Sequence, residues 1–277
     1  MKFLINRWLT RNAQSEIHAD HLRRLRITDI WVGLTRTGIL LLFLLGWEWS
    51  ANAGWIDPFL FSSPSRIWEL FLQMSATGEL YRDIGITVLE TVLGFILGTA
   101  GGTMIATLIW ASPFLSRVLD PYLVVLNSMP KVALGPLFIV TTGAGFGSIL
   151  AMGVAITIII TTLVIHSSFQ SVDPDYLKLA RSLGASRRQL FCSIIFPSCI
   201  PDLIAALKVN VGLAWVGVIV GEFLVSKNGL GYLIIYGFQV FNLTLVLLSL
   251  VIVALCATAM YQIVSWFERR LLHHRHL

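Results

Sequence analysis

Six apolar stretches divide the chain, at residues 31–49, 84–110, 121–142, 148–169, 204–225 and 243–266. Each reaches the length of about 18 residues or more that crosses a bilayer. In hydrocarbon the backbone must satisfy its own hydrogen bonds, so these stretches are predicted to be helices. The alternation of a barrel strand is missing from them. Trp31, Trp47, Trp49, Trp110 and Trp266 stand near their ends, where amphipathic rings favour the headgroup level. The pattern predicts an all-α, polytopic membrane protein with about six transmembrane helices.

Finer patterning distinguishes the stretches. The second carries Gly94, Gly98 and Gly102 at intervals of four, a stripe that lets another helix approach closely. The third holds Pro130 and Pro136 with Lys131 between them. Each proline removes a backbone donor, so this helix is expected to bend or break at both. Between the first two stretches, SSPSRIWELF reads as a short surface helix capped by Ser63 or Ser65, with Ile67, Leu70 and Phe71 on one face.

Composition agrees with the membrane reading. Of 277 residues, 56% are hydrophobic and 13% charged, where a soluble domain has about a quarter charged. Cys192, Cys199 and Cys256 show no paired spacing and are expected to be packed free thiols. The basic residues set an orientation. With the N-terminus in the cytoplasm, Lys2, Arg7, Arg11, Arg23, Arg24, Arg26, Arg36, Arg117, Lys178, Arg181, Arg187, Arg188, Arg269, Arg270 and Arg275 lie inside, fifteen of twenty. Arg66, Arg82 and Lys227 lie outside, so both termini are expected in the cytoplasm. The division is then a basic arm at 1–30, a six-helix domain at 31–270 and a tail at 271–277. The first thirty residues lack the apolar run of a cleavable signal, and no aromatic-interleaved basic patch suggests nucleic acid.

One polar interruption stands out on the inside face, DPDYLKLARSLGASRRQLFCSIIFPSCIP at 173–201. Asp173 caps a helix whose first residue is Pro174. Tyr176, Leu179, Ala180 and Leu183 share one face, and Lys178, Arg181 and Ser182 another. Gly184 ends that helix. Ser186 and Gln189 have capping-box spacing for a second helix, which Pro197 and Pro201 are expected to end. A hairpin of this kind lies on anionic headgroups or docks in a partner's groove.

Lys178-Leu179-Ala180, then Gly184, then Ile194-Ile195-Phe196-Pro197 matches the spacing of a known motif. It resembles the cytoplasmic Glu-Ala-Ala…Gly…Ile-x-Leu-Pro loop of permease subunits of ATP-binding-cassette importers. Ala180, Gly184, Ile194 and Pro197 match in identity. SMPKVALGPLFIVTTGAGFGS at 128–148, GEFLVSKNGLGYLI at 221–234 and SPSRIWELF at 63–71 resemble the nitrate/sulfonate/taurine branch, over about residues 55–265 in all. The resemblance implies a type I importer permease of the bacterial inner membrane, paired with a second copy. It implies a hairpin at about 173–190 seated on a cytoplasmic ATPase dimer through Asp175, Tyr176, Lys178, Leu179, Ala180, Arg181, Ser182, Leu183, Gly184 and Ala185. A soluble binding protein would deliver a small nutrient outside. ATP and Mg would bind the partner, since no GxxxxGK[ST] run exists here and the chain is expected to hold no cofactor or metal.

Polar groups inside spans are candidates for the pathway: Glu90, Glu222, and Asn127, Ser128 and Lys131 on the third span. Glu90 can equally make an interhelical hydrogen bond and Glu222 anchor a loop. His166 near a span end suits a headgroup contact, and His273, His274 and His276 a solvated tail. A self-contained secondary transporter or channel is the alternative; it predicts inverted repeats and several intramembrane charges. An intramembrane enzyme would need a nucleophile–base pair or metal cluster within the spans, and none is visible.

Overall fold

The computed structural model describes residues 16–273, with side chains over 24–270. Lys2, Arg7, Arg11, Arg275, His274 and His276 lie outside the described residues, as do the side chains of Arg23 and His273. Every regular element among the described residues is helical. Among the described residues five helices are long and apolar enough to cross a membrane, and a bent pair makes up to six. The chain divides into two compact units, 1–68 and 69–277.

In the first unit, α1 (Glu16–Asn52) carries the first apolar stretch. Leu40, Leu42, Phe43 and Leu45 on it are exposed, as suits side chains whose solvent is lipid. Glu48 accepts from the Ser65 N–H at 3.0 Å and its hydroxyl at 2.8 Å, closing a loop that contains α2 (Pro58–Phe61). Next comes α3 (Pro64–Thr77), whose Arg66 N–H donates to Ser63 Oγ at 3.4 Å. Ser63 is therefore the cap. Ile67 is buried and Leu70 and Phe71 half-buried, while Trp68 is exposed.

The second unit continues through α4 (Glu79–Ala111), α5 (Pro113–Ser128), α6 (Gly135–Thr142), α7 (Phe146–Ser171), α8 (Pro174–Ser182), α9 (Arg187–Leu190), α10 (Phe196–Ser198), α11 (Ile200–Val225), α12 (Leu230–Gln239) and α13 (Leu243–His273). Its core is the crossing of α4, α7 and α11. A Cβ on Gly98 would lie 1.6 Å from Thr157 Oγ1, and one on Gly102 2.5 Å from Thr161 Cβ. Gly94 faces the Gly153 Cα, and a Cβ on Gly217 would come within 2.8 Å of that same atom. Bare backbone thus meets bare backbone between helices. The polar groups trapped there pair across the bundle: Thr157 donates to the Gly94 carbonyl, and Asn210 to Thr99 Oγ1 at 3.0 Å and Thr161 Oγ1 at 2.6 Å.

The third stretch is broken. Its halves, α5 and the segment from Lys131 through α6, meet at 92°. Met129 leaves the helix at ψ 141 because the ring of Pro130 clashes with a helical residue before it. A 3₁₀ turn, Lys131–Leu134, follows. The second expected bend does not form: Pro136 sits in the first turn of α6, where its missing N–H had no partner to lose.

Candidate functional site

The hairpin begins as its local chemistry dictates. Asp173 accepts from the Asp175 N–H at 2.8 Å, and Pro174 opens α8. Gly184 takes φ +81, letting the Ala185 N–H reach back to the Ala180 carbonyl at 3.0 Å and close the helix. Ser186 and Gln189 then cap each other reciprocally at the start of α9. Pro197 and Pro201 do not end the second helix, as the sequence suggested. They occupy first turns, of α10 and α11, with a wide π turn at Phe191–Ile195 accommodating the lost donor of Pro197.

Leu177 anchors α8. It packs on a cluster of Ala106, Ile165, Phe169, Ile195 and Cys199, to which Trp110, Val172, Phe191 and Phe196 add partly buried rings and branches. Phe191 lies 4.9 Å from Trp110 and 5.4 Å from Phe169, centroid to centroid, close enough for favourable edge and tilted contacts. The ends of α4 and α7, the π turn and the start of α11 thus share one aromatic cradle. Cys199 is buried there and Cys256 half-buried, but Cys192 is exposed rather than packed.

The rest of the apolar face of α8 is uncovered. Tyr176 is 64%, Leu179 60% and Leu183 79% exposed. With Ala180, Ser193, Ile194, Pro197 and Ser198 they line an open groove of about 580 Å³. Lys178 is paired with Asp175 at 2.8 Å within the hairpin. Arg181 faces the other way, lining a second hollow with Trp110, Leu177 and Arg187. Ser182 donates to the Leu179 carbonyl at 2.7 Å.

The groups considered for a pathway fall into two sets. At the break, Lys131 Nζ donates to the Asn127 carbonyl at 2.8 Å and reaches Asn127 Oδ1 at 3.4 Å, while Ser128 donates to Val124. Asn127 and Ser128 are exposed and Lys131 half-exposed. Glu90 and Glu222 are instead buried side by side. Glu222 accepts from Thr87 Oγ1 at 2.6 Å and from the Gly231 N–H at 2.5 Å. Asp83 accepts from the Gly229 N–H, and Thr87 Oγ1 from the Leu230 N–H, both at 2.8 Å. These bonds satisfy free amides at the start of α12. Glu222 is thus a loop anchor, with Thr87 bonded to it and Asp83 holding the same loop, two residues that sequence reasoning passed over.

His166 differs from its expected role. It is buried, with Nε2 at 3.1 Å from Asp120 Oδ1, 3.3 Å from Ser116 Oγ and 2.9 Å from Gln170 Nε2. No headgroup contact is open to a ring held this way.

Comparison with known proteins places this geometry in a family. The model described as "Binding-protein-dependent transport system inner membrane component" matches residues 91–273. SsuC of Bacillus subtilis, named for aliphatic sulfonates transport, is 28% identical over 232 residues, 83% of each chain. RibX of Chloroflexus aurantiacus, a riboflavin transport system permease protein, is 28% identical over 87% of this chain and 90% of its own. Among solved structures, that of an amino acid ABC transporter with histidines superposes with a TM-score of 0.59 at 20% identity. It covers 72% of this chain and 97% of that one, a likeness of fold.

Proposed function

The chain belongs to the binding-protein-dependent transport system inner membrane component family, and on that premise we propose that its residues 173–190 seat a cytoplasmic ATPase. It is the permease subunit of an ATP-binding-cassette importer, with the type I permease fold, a multi-pass protein of the inner membrane. Membership implies an ATPase and a binding protein as partners. The observation that carries the docking is the uncovered apolar face of α8, where Tyr176, Leu179 and Leu183 line an open groove on a hairpin fixed at its base by Leu177. A stiff, capped element with an unfilled apolar groove suits a helix-in-groove contact. ATP and Mg then bind the partner, and closure of two ATPase subunits draws two hairpins together.

Two copies of the chain form the pathway between them, with both termini and the hairpin in the cytoplasm. The basic arm at 1–30 and the tail at 271–277 flank the transmembrane domain at 31–270. Asn127, Ser128 and Lys131 offer an amide, a hydroxyl and a cation to a solute passing the break. That chemistry suits a small anionic nutrient of the nitrate/sulfonate/taurine class, in keeping with the likeness to SsuC. Glu90, beside Glu222, is the buried group nearest in character to a second pathway contact. The Gly94, Gly98 and Gly102 stripe serves helix packing.

The test is co-purification of the complex, with taurine uptake by the same complex in vesicles supplied with its binding protein. Replacing Arg181 and Gly184 with Glu is expected to weaken ATPase retention by about tenfold or more. Retention at the wild-type level would sink the docking. ATP-independent taurine entry would sink the coupling.

A further inference from the structure

Polar contacts around the buried ring of His166 join α5 to the end of α7, with Asp120 and Gln170 reaching it from the exposed side. His166 Nε2 stands within hydrogen-bond distance of Ser116 and Asp120 on α5 and of Gln170 on its own helix, and Gln170 Nε2 also donates to Ser116 Oγ at 3.3 Å. Few apolar contacts back this tie, because Leu123 is the one residue of α5 that is buried. The neighbouring tie from α7, Ser168 Oγ donating to Asp202 Oδ2 at 2.5 Å, goes elsewhere, to the first turn of α11.

The two ends of this contact differ in what they carry. Four residues beyond His166 lies Gln170, and after Ser171 a two-residue connector leads directly into α8. Phe169 and Val172 belong to the cradle that grips Leu177, so the hairpin and the end of α7 are packed as one body. On the other side, α5 runs from Ser116 and Asp120 to Asn127 and Ser128 and stops at the break before Lys131. At about 1.5 Å per residue α5 carries the chain about 18 Å from Ser116 to Ser128, with Pro121 inside it next to Asp120.

We propose that His166, clasped by Ser116 and Asp120, is the positioning residue that passes movement of the 173–190 hairpin to the broken helix bearing Asn127, Ser128 and Lys131. This rests on the reading of the hairpin as the ATPase seat. A hydrogen-bonded clasp is suited to the task because it is directional, so it resists sliding that an apolar contact would permit. It also has discrete partners to exchange, which a two-state coupling needs.

The experiment uses the permease–ATPase complex in lipid vesicles, with Cys192, Cys199 and Cys256 replaced by Ser and Met129→Cys as reporter at the break. The rate at which a maleimide labels that thiol is read with and without ATP. ATP is expected to change the rate by about tenfold, and His166→Leu to abolish the difference while the ATPase still co-purifies. His166→Gln, which keeps a polar group in the clasp, is expected to restore most of it; a purely structural role would not return the ATP response in this way. A full ATP response in His166→Leu overturns the proposal, as does the absence of any response with His166 intact and the ATPase bound. Should Leu block assembly, Asp120→Asn and Ser116→Ala carry the same expectation, and a full response in both overturns it. Failure of the seat itself is read separately: a hairpin bearing Arg181→Glu and Gly184→Glu that still holds the ATPase.

Discussion

At Gly229 the backbone takes φ +103, and a Cβ there would stand 2.4 Å from Glu222 Oε1. The same is nearly true of Gly231, where the gap to Glu222 Oε2 would be 2.7 Å. Both glycines exist so that one carboxylate can come close enough to bind amides at the start of a helix. Gly229→Ala therefore meets a strained φ and a collision together, and is expected to cost about 1–3 kcal/mol. A thermal melt of the detergent-solubilised protein should show the loss, whereas an unchanged melt would mean the carboxylate is not held here. This arrangement was not legible beforehand. Glu222 was visible as a polar residue in an apolar run, but Thr87 and Asp83 lie 135 and more positions away from the groups they bind. Nothing local marks such pairs. His166 was misread for the same reason, its partners Asp120 and Ser116 being 46 and 50 positions distant.

Among the elements, the spans were legible because lipid imposes one rule on every residue of a run. The hairpin was legible because Asp173-Pro174, Gly184 and Ser186…Gln189 act on their immediate neighbours. The helix break followed from Pro130, yet Pro136 shows that a proline's effect depends on whether its N–H would have had a partner. The short helix α12 escaped notice, since its ten residues behind a Lys-Asn-Gly turn are too few to span a membrane. The glycine stripe allows a sharper test at this scale. Gly98→Val would drive α4 off Thr157 and is expected to destabilise by about 1–3 kcal/mol. Because Thr157 is the atom group in the way, Thr157→Gly in the same chain should recover much of the stability. A double variant no better than the single one would show that the helices meet elsewhere.

For the whole molecule, orientation is the property on which everything else depends. The distribution of basic residues predicts the hairpin and Lys227 on opposite sides of the membrane. In sealed cells Lys227→Cys is expected to react with an impermeant maleimide, and Arg187→Cys only after permeabilisation. The reverse pattern would place the groove of α8 outside, where no ATPase could reach it. Long-range polar contacts hold the core, and the locally determined hairpin leaves its apolar side open; with the predicted orientation that side would face the cytoplasm.

The π turn at Phe191–Ile195 has a consequence of angular phase. A wide turn carries one residue more than an α-helical turn, and one residue of α-helix corresponds to about 100° of rotation. The segment joining the hairpin to α11 is therefore clocked by a single extra residue, which sets the phase of α9 against the start of α11. Were one residue between 191 and 195 removed, every side chain of the hairpin could remain and the helices could stay capped. The phase of α9 against α11 would nonetheless shift by about 100°, against the hold of the cradle on Leu177. What a partner would meet at this surface is a bearing as much as a set of side chains, held by Leu177 at one end and by the phase of this turn at the other.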